Sequence, residues 1–232
     1  MKRDLYPQPG DQLFTVSTSP LKKLVHVAEG GWLAYAANYK QAGDRLTELA
    51  PDTVSAIPLM EPIMFLYRHF LELRLKAVLA LGFVAQDGDA ATKVNDILRR
   101  HDLRKLTEEC RSVCETLEIF PEDRKLETMF NAFEACIGEL ADIDGGSISF
   151  RYPIDKKLQP SFTRQIIDSP AHLQLMMTKL ENFLNLLHER FQYIVDDNAG
   201  NNNGWNDEDE MCHCKDISGL DEGEAVTESE NE

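Results

Sequence analysis

Apolar residues recur at helical spacing through most of the chain ahead of residue 198. The last predicted helix shows this best: a cap and a proline at 168–170 precede one stripe, made of Leu173, Met176, Met177, Leu180, Phe183, Leu184, Leu187, Phe191 and Ile194. Long stretches with a period of two residues, typical of a half-buried strand, do not occur. The sequence therefore predicts an all-α protein, folded as an up-and-down antiparallel bundle of about five to six helices.

Local start and stop signals divide this pattern into helices. A pair of prolines flanks the start of a long helical segment at about residues 59–82, which we expect Gly82 to close. Asp102 is placed to cap a helix that runs to about Glu118. Residues 144–160, with two adjacent glycines and a proline, are the least helical part of the chain.

The negative charge is concentrated at one end of the 232-residue chain. The formal net charge is −16, and residues 198–232 contribute −10 of it through eleven acidic residues and one lysine. A segment this polar cannot bury enough apolar surface to fold alone. We therefore expect one helical-bundle domain over residues 1–197, with an irregular lead-in over 1–20, and a disordered acidic tail over 198–232. The charge of the tail neither favours nor excludes a nucleic-acid partner for the domain.

The sequence predicts a cytoplasmic protein without a membrane partner. It has no run of about 18 apolar residues that could span a bilayer, and its N-terminus lacks the apolar stretch of a secretory signal. An odd number of cysteines fits reduced thiols rather than a disulfide framework. The five are Cys110, Cys114, Cys136, Cys212 and Cys214.

Several classes of enzyme and cofactor are excluded by missing motifs. The sequence contains no glycine-rich phosphate loop, no His-Glu-x-x-His zinc motif and no nucleophile elbow. Cys212, His213 and Cys214 are adjacent in the chain and lack a fourth ligand, so we expect no metal site and no cofactor. Cys110 and Cys114 lie one helical turn apart, and we expect them to be buried small apolar residues.

Four polar residues share one arc of the long segment at 59–82. At 100° per residue they fall on one side, with apolar residues almost everywhere else; they are Arg68, His69, Glu72 and Lys76. A helix that is apolar nearly all round is central in its domain. The arc has two interpretations. It is an exposed row of i,i+4 ion pairs, or it lines a polar cleft between helices, where neighbours or a ligand must satisfy it.

Two further segments could supply partners for this arc. Residues 100–106 place His101 among basic residues, either as a capped helix start with a basic first turn or as part of a site. Residues 145–157 contain Arg151, Tyr152 and Lys156 in a long loop, which is suited to anion contact. The alternative is a structured linker whose aromatic residues plug the bundle.

Taken in order, four strings of the sequence resemble HEPN-like helical proteins of prokaryotes. They are WLAYA at 32–36, FLYRHFLELRLK at 65–76, HDL at 101–103 and FRYPID at 150–155, and the resemblance covers roughly residues 30–195. It implies an up-and-down helical bundle that is often dimeric, so we expect a homodimer.

Many members of that superfamily cleave RNA with an arginine and a histidine four to six residues apart, brought together across the dimer interface. This sequence departs from that spacing. The arginines around His101 are too close to it, and Arg164 and His172 are separated by seven residues. The resemblance therefore implies a non-catalytic member of the group.

The leading hypothesis is a non-catalytic HEPN-like binding or regulatory protein that contacts RNA, a nucleotide or a protein partner through a polar cleft. Its candidate ligand-binding residues are Arg68, His69, Glu72, Lys76, Arg151, Tyr152 and Lys156. One alternative is a ribonuclease of a toxin or defence system, with His69 or His101 as general acid–base and Arg68 or Arg151 stabilising phosphate charge. Another is a helical interaction module that acts through its acidic tail.

Overall fold

The computed structural model describes residues 31–50, 54, 57–87, 90–144, 147, 149–152, 159 and 169–202. Every regular element in these ranges is helical, so the all-α prediction is confirmed. The α-helices are α1 (Gly31–Glu48), α2 (Met60–Asp87), α3 (Ala91–Leu98), α4 (Leu103–Thr116), α5 (Ile119–Glu122), α6 (Arg124–Asp144) and α7 (Pro170–Asn202), and a 3₁₀ turn (Ile57–Leu59) precedes α2. The described part thus has seven α-helices, one of them the single turn α5, rather than five to six.

The long helix α2 lies at the centre of the described structure. It packs against α1, α3, α4 and α7, while α4 also packs on α6 and α6 on α7. Apolar residues on almost every side of α2 make this position favourable, because each neighbour buries a different face. Tyr67, Phe70, Leu71 and Leu75 are completely buried. The central position predicted for this segment is confirmed.

The predicted end of this helix at Gly82 is wrong, since α2 continues to Asp87. Gly82 is instead a point of close approach between helices. A β-carbon there would lie 2.8 Å from both Phe191 Cε2 in α7 and Val113 Cγ1 in α4. Because Gly82 has no side chain, α2, α4 and α7 can approach one another closely at this position. The residues that require this close approach, Val113 and Phe191, are far from Gly82 in the sequence.

Side-chain caps fix the starts of α4 and α7 as predicted. The Asp102 Oδ1 atom accepts hydrogen bonds from the backbone N–H groups of Arg104 at 3.0 Å and Lys105 at 3.4 Å. The Ser169 Oγ atom accepts one from the His172 backbone N–H at 3.2 Å. These caps satisfy donors that the first helical turn leaves without an intrahelical partner.

The C-terminal helix is longer than the sequence pattern indicated. It continues to Asn202, so the predicted domain boundary after residue 197 falls inside α7. The Asn198 side-chain amide donates to the carbonyl of Ala85 at 3.2 Å, which ties this end of α7 to α2. The predicted lead-in over 1–20 and most of the predicted acidic tail lie outside the described residues.

The core contains the two cysteines that were expected to be apolar in character. Cys110 and Cys114 are 1% and 0% exposed, which confirms that prediction. Burial raises the pKa of the Cys114 thiol to about 12 and that of Cys110 well above its ordinary value. Both thiols are therefore protonated at neutral pH and behave as packing groups.

Gly82→Ala is expected to destabilise the fold by about 1–3 kcal/mol, because the new methyl group overpacks a contact among three helices. Gly138 in α6 is the matched control. A β-carbon there meets nothing within 4 Å, so Gly138→Ala should stabilise by about 0.5–1 kcal/mol through helix propensity alone. Urea unfolding followed by far-UV circular dichroism measures both effects. Equal changes in the two variants would contradict the close-approach role of Gly82.

Candidate functional site

The polar arc of α2 lies inside the protein. Arg68, Glu72 and Lys76 are only 0%, 2% and 4% exposed. Charged side chains are almost never buried to this degree unless they are paired. The interpretation of the arc as an exposed stripe is therefore wrong.

Each oxygen of the Glu72 carboxylate binds one cation of the same helix. Arg68 Nη1 donates to Glu72 Oε2 at 2.8 Å, and Lys76 Nζ donates to Glu72 Oε1 at 2.9 Å. Burial alone would raise the pKa of Glu72, but hydrogen bonds from Lys76, Arg68 and His101 outweigh it and lower the pKa. Glu72 is thus an ionised carboxylate at the centre of the arc.

The remaining donors of Arg68 hold two other parts of the chain. Its Nε atom lies 3.3 Å from both the backbone carbonyl and the Oδ2 atom of Asp144, at the end of α6. The Asp144 Oδ1 atom accepts from the backbone N–H of Ser149 at 2.9 Å. Nη2 of Arg68 donates to the backbone carbonyl of His101. One buried guanidinium therefore joins α2, the end of α6 and the connection before α4.

Lys76 holds the other end of that same connection. Its ammonium group donates to the carbonyl of Leu98, the last residue of α3, at 3.2 Å. Arg68 and Lys76 together fix residues 98–101 through backbone carbonyls, so the path of this segment depends little on its own side chains. We call Arg68, Glu72, Lys76 and Asp144 the buried ion network; it contains two cations and two carboxylates.

His101 connects this network to the protein surface. Its Nδ1 atom lies 2.8 Å from Glu72 Oε1, yet 61% of the side chain is exposed. An ionised carboxylate can only accept a hydrogen bond, so Nδ1 is the donor. Whenever the ring carries a single proton, the Nε2 atom is then left as an acceptor. The arrangement is a histidine oriented by a buried carboxylate.

Basic residues flank His101 on the surface. Arg100 pairs with Glu109 at 2.9 Å and Arg104 with Asp142 at 2.5 Å, and these pairs are partly exposed. Arg99 and Lys105 are also exposed, and neither forms an ion pair with a residue that the structure describes. We call Arg99, Arg100, His101, Arg104 and Lys105 the basic surface.

The other predicted site residues lie outside the buried ion network, and one of them lies outside the described residues. His69 is half-buried between Tyr39 and Phe65, with ring centroids 4.4 and 6.0 Å away. Burial lowers its pKa; the nearby carboxylate of Glu72 opposes this effect, and surrounding positive charges add to it. His69 is therefore neutral at pH 7 and packs as an aromatic ring. Lys156 lies outside the described residues.

Arg151 and Tyr152 follow the segment that Asp144 anchors. Both side chains are exposed, and the Arg151 guanidinium lies 6.0 Å from the centre of the Tyr152 ring. Arg151 Nε donates to the backbone carbonyl of Ser147 at 2.6 Å. The Arg151–Ser147 and Ser149–Asp144 hydrogen bonds thus link this segment to the buried ion network. Direct contact of either with a ligand stays a prediction.

Sequence reasoning missed Asp144 and the contact between Glu72 and His101. Asp144 marks the end of a helix ahead of two glycines, and its position gives no sign of a partner 76 residues earlier. His101 was a candidate because of its basic neighbours, but only the packing of α3 and α4 on α2 brings it to Glu72. Among the described residues, no group of three His, Cys, Asp or Glu side chains could hold a metal ion. The Cys212-His213-Cys214 string lies outside them.

Fold and site define an all-helical protein in which a buried ion network supports a surface histidine. No protein-family model, curated protein or solved structure matches the chain. In the part of the chain that the structure describes, every helix is too short or too polar to cross a membrane. The function is therefore argued from the geometry of the site.

Glu72→Gln is expected to destabilise the fold by about 3–5 kcal/mol at pH 7, because it leaves two buried cations without their shared carboxylate. Glu127 forms a surface i,i+3 pair with Arg124, and Glu127→Gln should change stability by less than about 1 kcal/mol. Chemical unfolding of both variants beside the parent chain measures the difference. Similar effects at the two positions would contradict the importance of the buried network.

The parent chain and Glu72→Gln also test how the stabilising effect of Glu72 depends on pH. The pKa of Glu72 is lower in the folded state than its ordinary value of 4.5, so its stabilising effect is complete above that value. It is lost as pH falls through the folded-state pKa, where the folded protein must also take up the proton. The difference in free energy of unfolding between the parent chain and Glu72→Gln should therefore become smaller as pH falls below about 4.5. If this difference in free energy of unfolding stays constant from neutral to acid pH, Glu72 is not ionised in the folded protein.

Proposed function

We propose that this chain is a HEPN-like up-and-down helical bundle of the prokaryotic cytoplasm that binds the phosphates of RNA or of a nucleotide without cleaving them. The observation that carries the proposal is His101, an exposed imidazole held by buried Glu72 within the basic surface. The resemblance of four sequence strings to HEPN-like proteins supports the family, and their missing arginine–histidine spacing supports a binding role.

The basic surface has the composition expected for phosphate contact. Within residues 99–105 it places four cations and one imidazole against the single carboxylate of Asp102, on a chain whose net charge is −16. Local positive charge attracts phosphate and releases counterions on binding. Arg99 and Lys105 lack acidic partners among the described residues, so a phosphate would not have to displace a protein carboxylate from them.

The buried ion network prepares this surface before a ligand arrives. Arg68 and Lys76 hold the backbone on each side of residues 99–100, and Glu72 orients the His101 ring. A surface fixed in advance loses less conformational freedom on binding. In this proposal Arg68, Glu72 and Lys76 position His101, which then touches the ligand in their place.

The segment after α6 would extend the site. Arg151 supplies another cation, and Tyr152 an exposed ring on which an unpaired base could stack. Lys156 would add positive charge farther along the same segment. A site that stacks an unpaired base next to a bound phosphate suits single-stranded RNA better than a rigid duplex.

One observation favours a second candidate function, RNA cleavage. A histidine with Nδ1 held by a carboxylate leaves Nε2 free to take a proton from an attacking hydroxyl group, as in general base catalysis. Among the four candidate catalytic residues, His101 has this geometry, whereas His69 is packed between aromatic rings. Arg151 would then stabilise the charge that develops on the phosphate.

Removing the basic surface is expected to weaken RNA binding. Arg99→Gln with Lys105→Gln should lower affinity for a short single-stranded RNA by about tenfold at physiological salt and reduce the salt slope by about two. Arg45→Gln with Arg124→Gln removes the same charge from exposed i,i+3 pairs elsewhere and should have a smaller effect. Fluorescence anisotropy over a range of salt concentrations gives both values. The binding proposal fails if the parent chain does not bind RNA or nucleotide, or if the two double variants behave alike.

The integrity of the RNA separates binding from cleavage. Total RNA and a tRNA panel are incubated with the parent chain and with His101→Ala, His69→Ala and Arg151→Ala. The binding proposal predicts intact RNA in every sample. Cleavage that disappears with His101→Ala but persists with His69→Ala would instead establish a ribonuclease at the Glu72–His101 pair.

A further inference from the structure

A small polar cavity lies between α4 and α6, beside the basic surface. Its volume is about 200 Å³, and four of the six residues that line it have polar side chains; the six are Arg104, Thr107, Glu108, Glu134, Ile137 and Gly138. Gly138 keeps this space open, because a β-carbon at that position would meet nothing within 4 Å. We call this space the α4–α6 cavity.

The lining of the cavity includes a buried hydroxyl group without a partner. Thr107 is only 1% exposed, yet its Oγ1 atom has no hydrogen-bond partner in the described structure. Threonine in a helix commonly bonds back to the carbonyl four residues earlier. Four other helical threonines do so; they are Thr47, Thr116, Thr128 and Thr178. An unpartnered buried hydroxyl costs free energy, which a ligand in the α4–α6 cavity would recover by bonding to Thr107.

Two carboxylates and one guanidinium also line the cavity. Glu108 is exposed and has no ion pair among the described residues, whereas Glu134 pairs with Arg111 at 2.7 Å. A carboxylate has several lone pairs, so both can accept further hydrogen bonds. Arg104 donates to the carbonyl of Gly138 at 2.9 Å through Nη2, and a guanidinium has five N–H donors. The cavity thus offers acceptors, a hydroxyl group and a cationic donor to one ligand.

We propose that the α4–α6 cavity takes the base of a bound nucleotide and selects cytosine; this inference rests on the proposed binding of phosphates at the basic surface. Arg104 belongs both to that surface and to the cavity lining, so a phosphate on the surface and its base in the cavity are neighbours. The volume of about 200 Å³ is below the roughly 300 Å³ at which sites for drug-sized ligands begin. It therefore suits a single ring.

The polar groups of the cavity match the pairing edge of cytosine, which unpaired bases in RNA expose. That edge has one amino donor followed by two acceptors, the ring nitrogen and the carbonyl oxygen. Glu108 accepts from the amino group, which is the usual pairing of a carboxylate with cytosine. Thr107 then donates to the ring nitrogen and Arg104 to the carbonyl oxygen. Uracil has an oxygen in place of the amino group and would set it against the carboxylate of Glu108.

Cytidine and uridine carry no phosphate and therefore test the cavity apart from the basic surface. In an NMR titration of the full chain, we expect cytidine to shift the Thr107 methyl signal and to bind at least about fivefold more tightly than uridine. Fluorescence anisotropy with short oligocytidylate and oligouridylate of equal length should give the same order, because the two RNAs have the same backbone charge.

The two titrations separate the cavity from the proposed phosphate surface. Equal affinity for the two RNAs, with no shift caused by cytidine, would overturn the selection of cytosine and leave phosphate binding intact. Binding of cytidine without binding of either RNA would support the cavity and contradict the phosphate surface. A chain that binds none of the four ligands would overturn both proposals.

Glu108→Gln tests the contact with the amino group. The new amide offers an acceptor to cytosine and a donor to uracil, so the preference for cytidine should fall to within about twofold. Glu115→Gln is the matched control, since Glu115 is exposed on the same helix and does not line the cavity. It removes the same charge and should keep the preference. A preference that survives in Glu108→Gln would contradict the role of this carboxylate.

Thr107→Val and Gly138→Leu test the cavity itself. Thr107→Val removes the unpartnered hydroxyl, so the fold should be at least as stable while cytidine binds about threefold to tenfold more weakly. Gly138→Leu fills space without changing charge and should abolish cytidine binding, whereas RNA still binds through the basic surface. Far-UV circular dichroism establishes that each variant folds. Unchanged cytidine binding in the two variants would overturn the proposal.

Discussion

The structure depends on one buried carboxylate held between two cations. Glu72 can be ionised inside the protein because Arg68 and Lys76 each donate to one of its oxygens. Removing any of the three would leave an uncompensated charge where water cannot reach it. Asp144 balances the second cation, so the buried network contains equal numbers of positive and negative groups.

The network also determines where neighbouring elements lie. After binding Glu72, the two cations still have donors, and these bind backbone carbonyls at the end of α3, before α4 and at the end of α6. The rest of the buried surface of α2 is largely apolar and packs against α1 and α7, apart from Arg74, whose Nη2 atom donates to Asn185 Oδ1 of α7 at 2.6 Å. Helix α2 therefore joins an ordinary apolar core to a polar junction, and His101 is the part of that junction with a largely exposed side chain.

Much of this could be predicted from local sequence. The cap at Asp102, the central place of α2 and the burial of Cys110 and Cys114 each follow from residue type and spacing over a few turns. Burial of the polar arc could not be settled in this way, because i,i+4 ion pairs have the same spacing on a surface and in an interior. Gly82 was misinterpreted for a related reason, since its role depends on Phe191 and Val113 in other helices.

The central claim is that buried Glu72 holds the exposed ring of His101 with its hydrogen on Nδ1. Long-range nitrogen–proton NMR of the histidine rings reports the tautomer directly, and comparison with His101→Gln assigns the signal. At a pH where the ring is neutral, the account predicts that the hydrogen of His101 is on Nδ1 and Nε2 is bare. A ring with its hydrogen on Nε2 would contradict the contact and the site built on it.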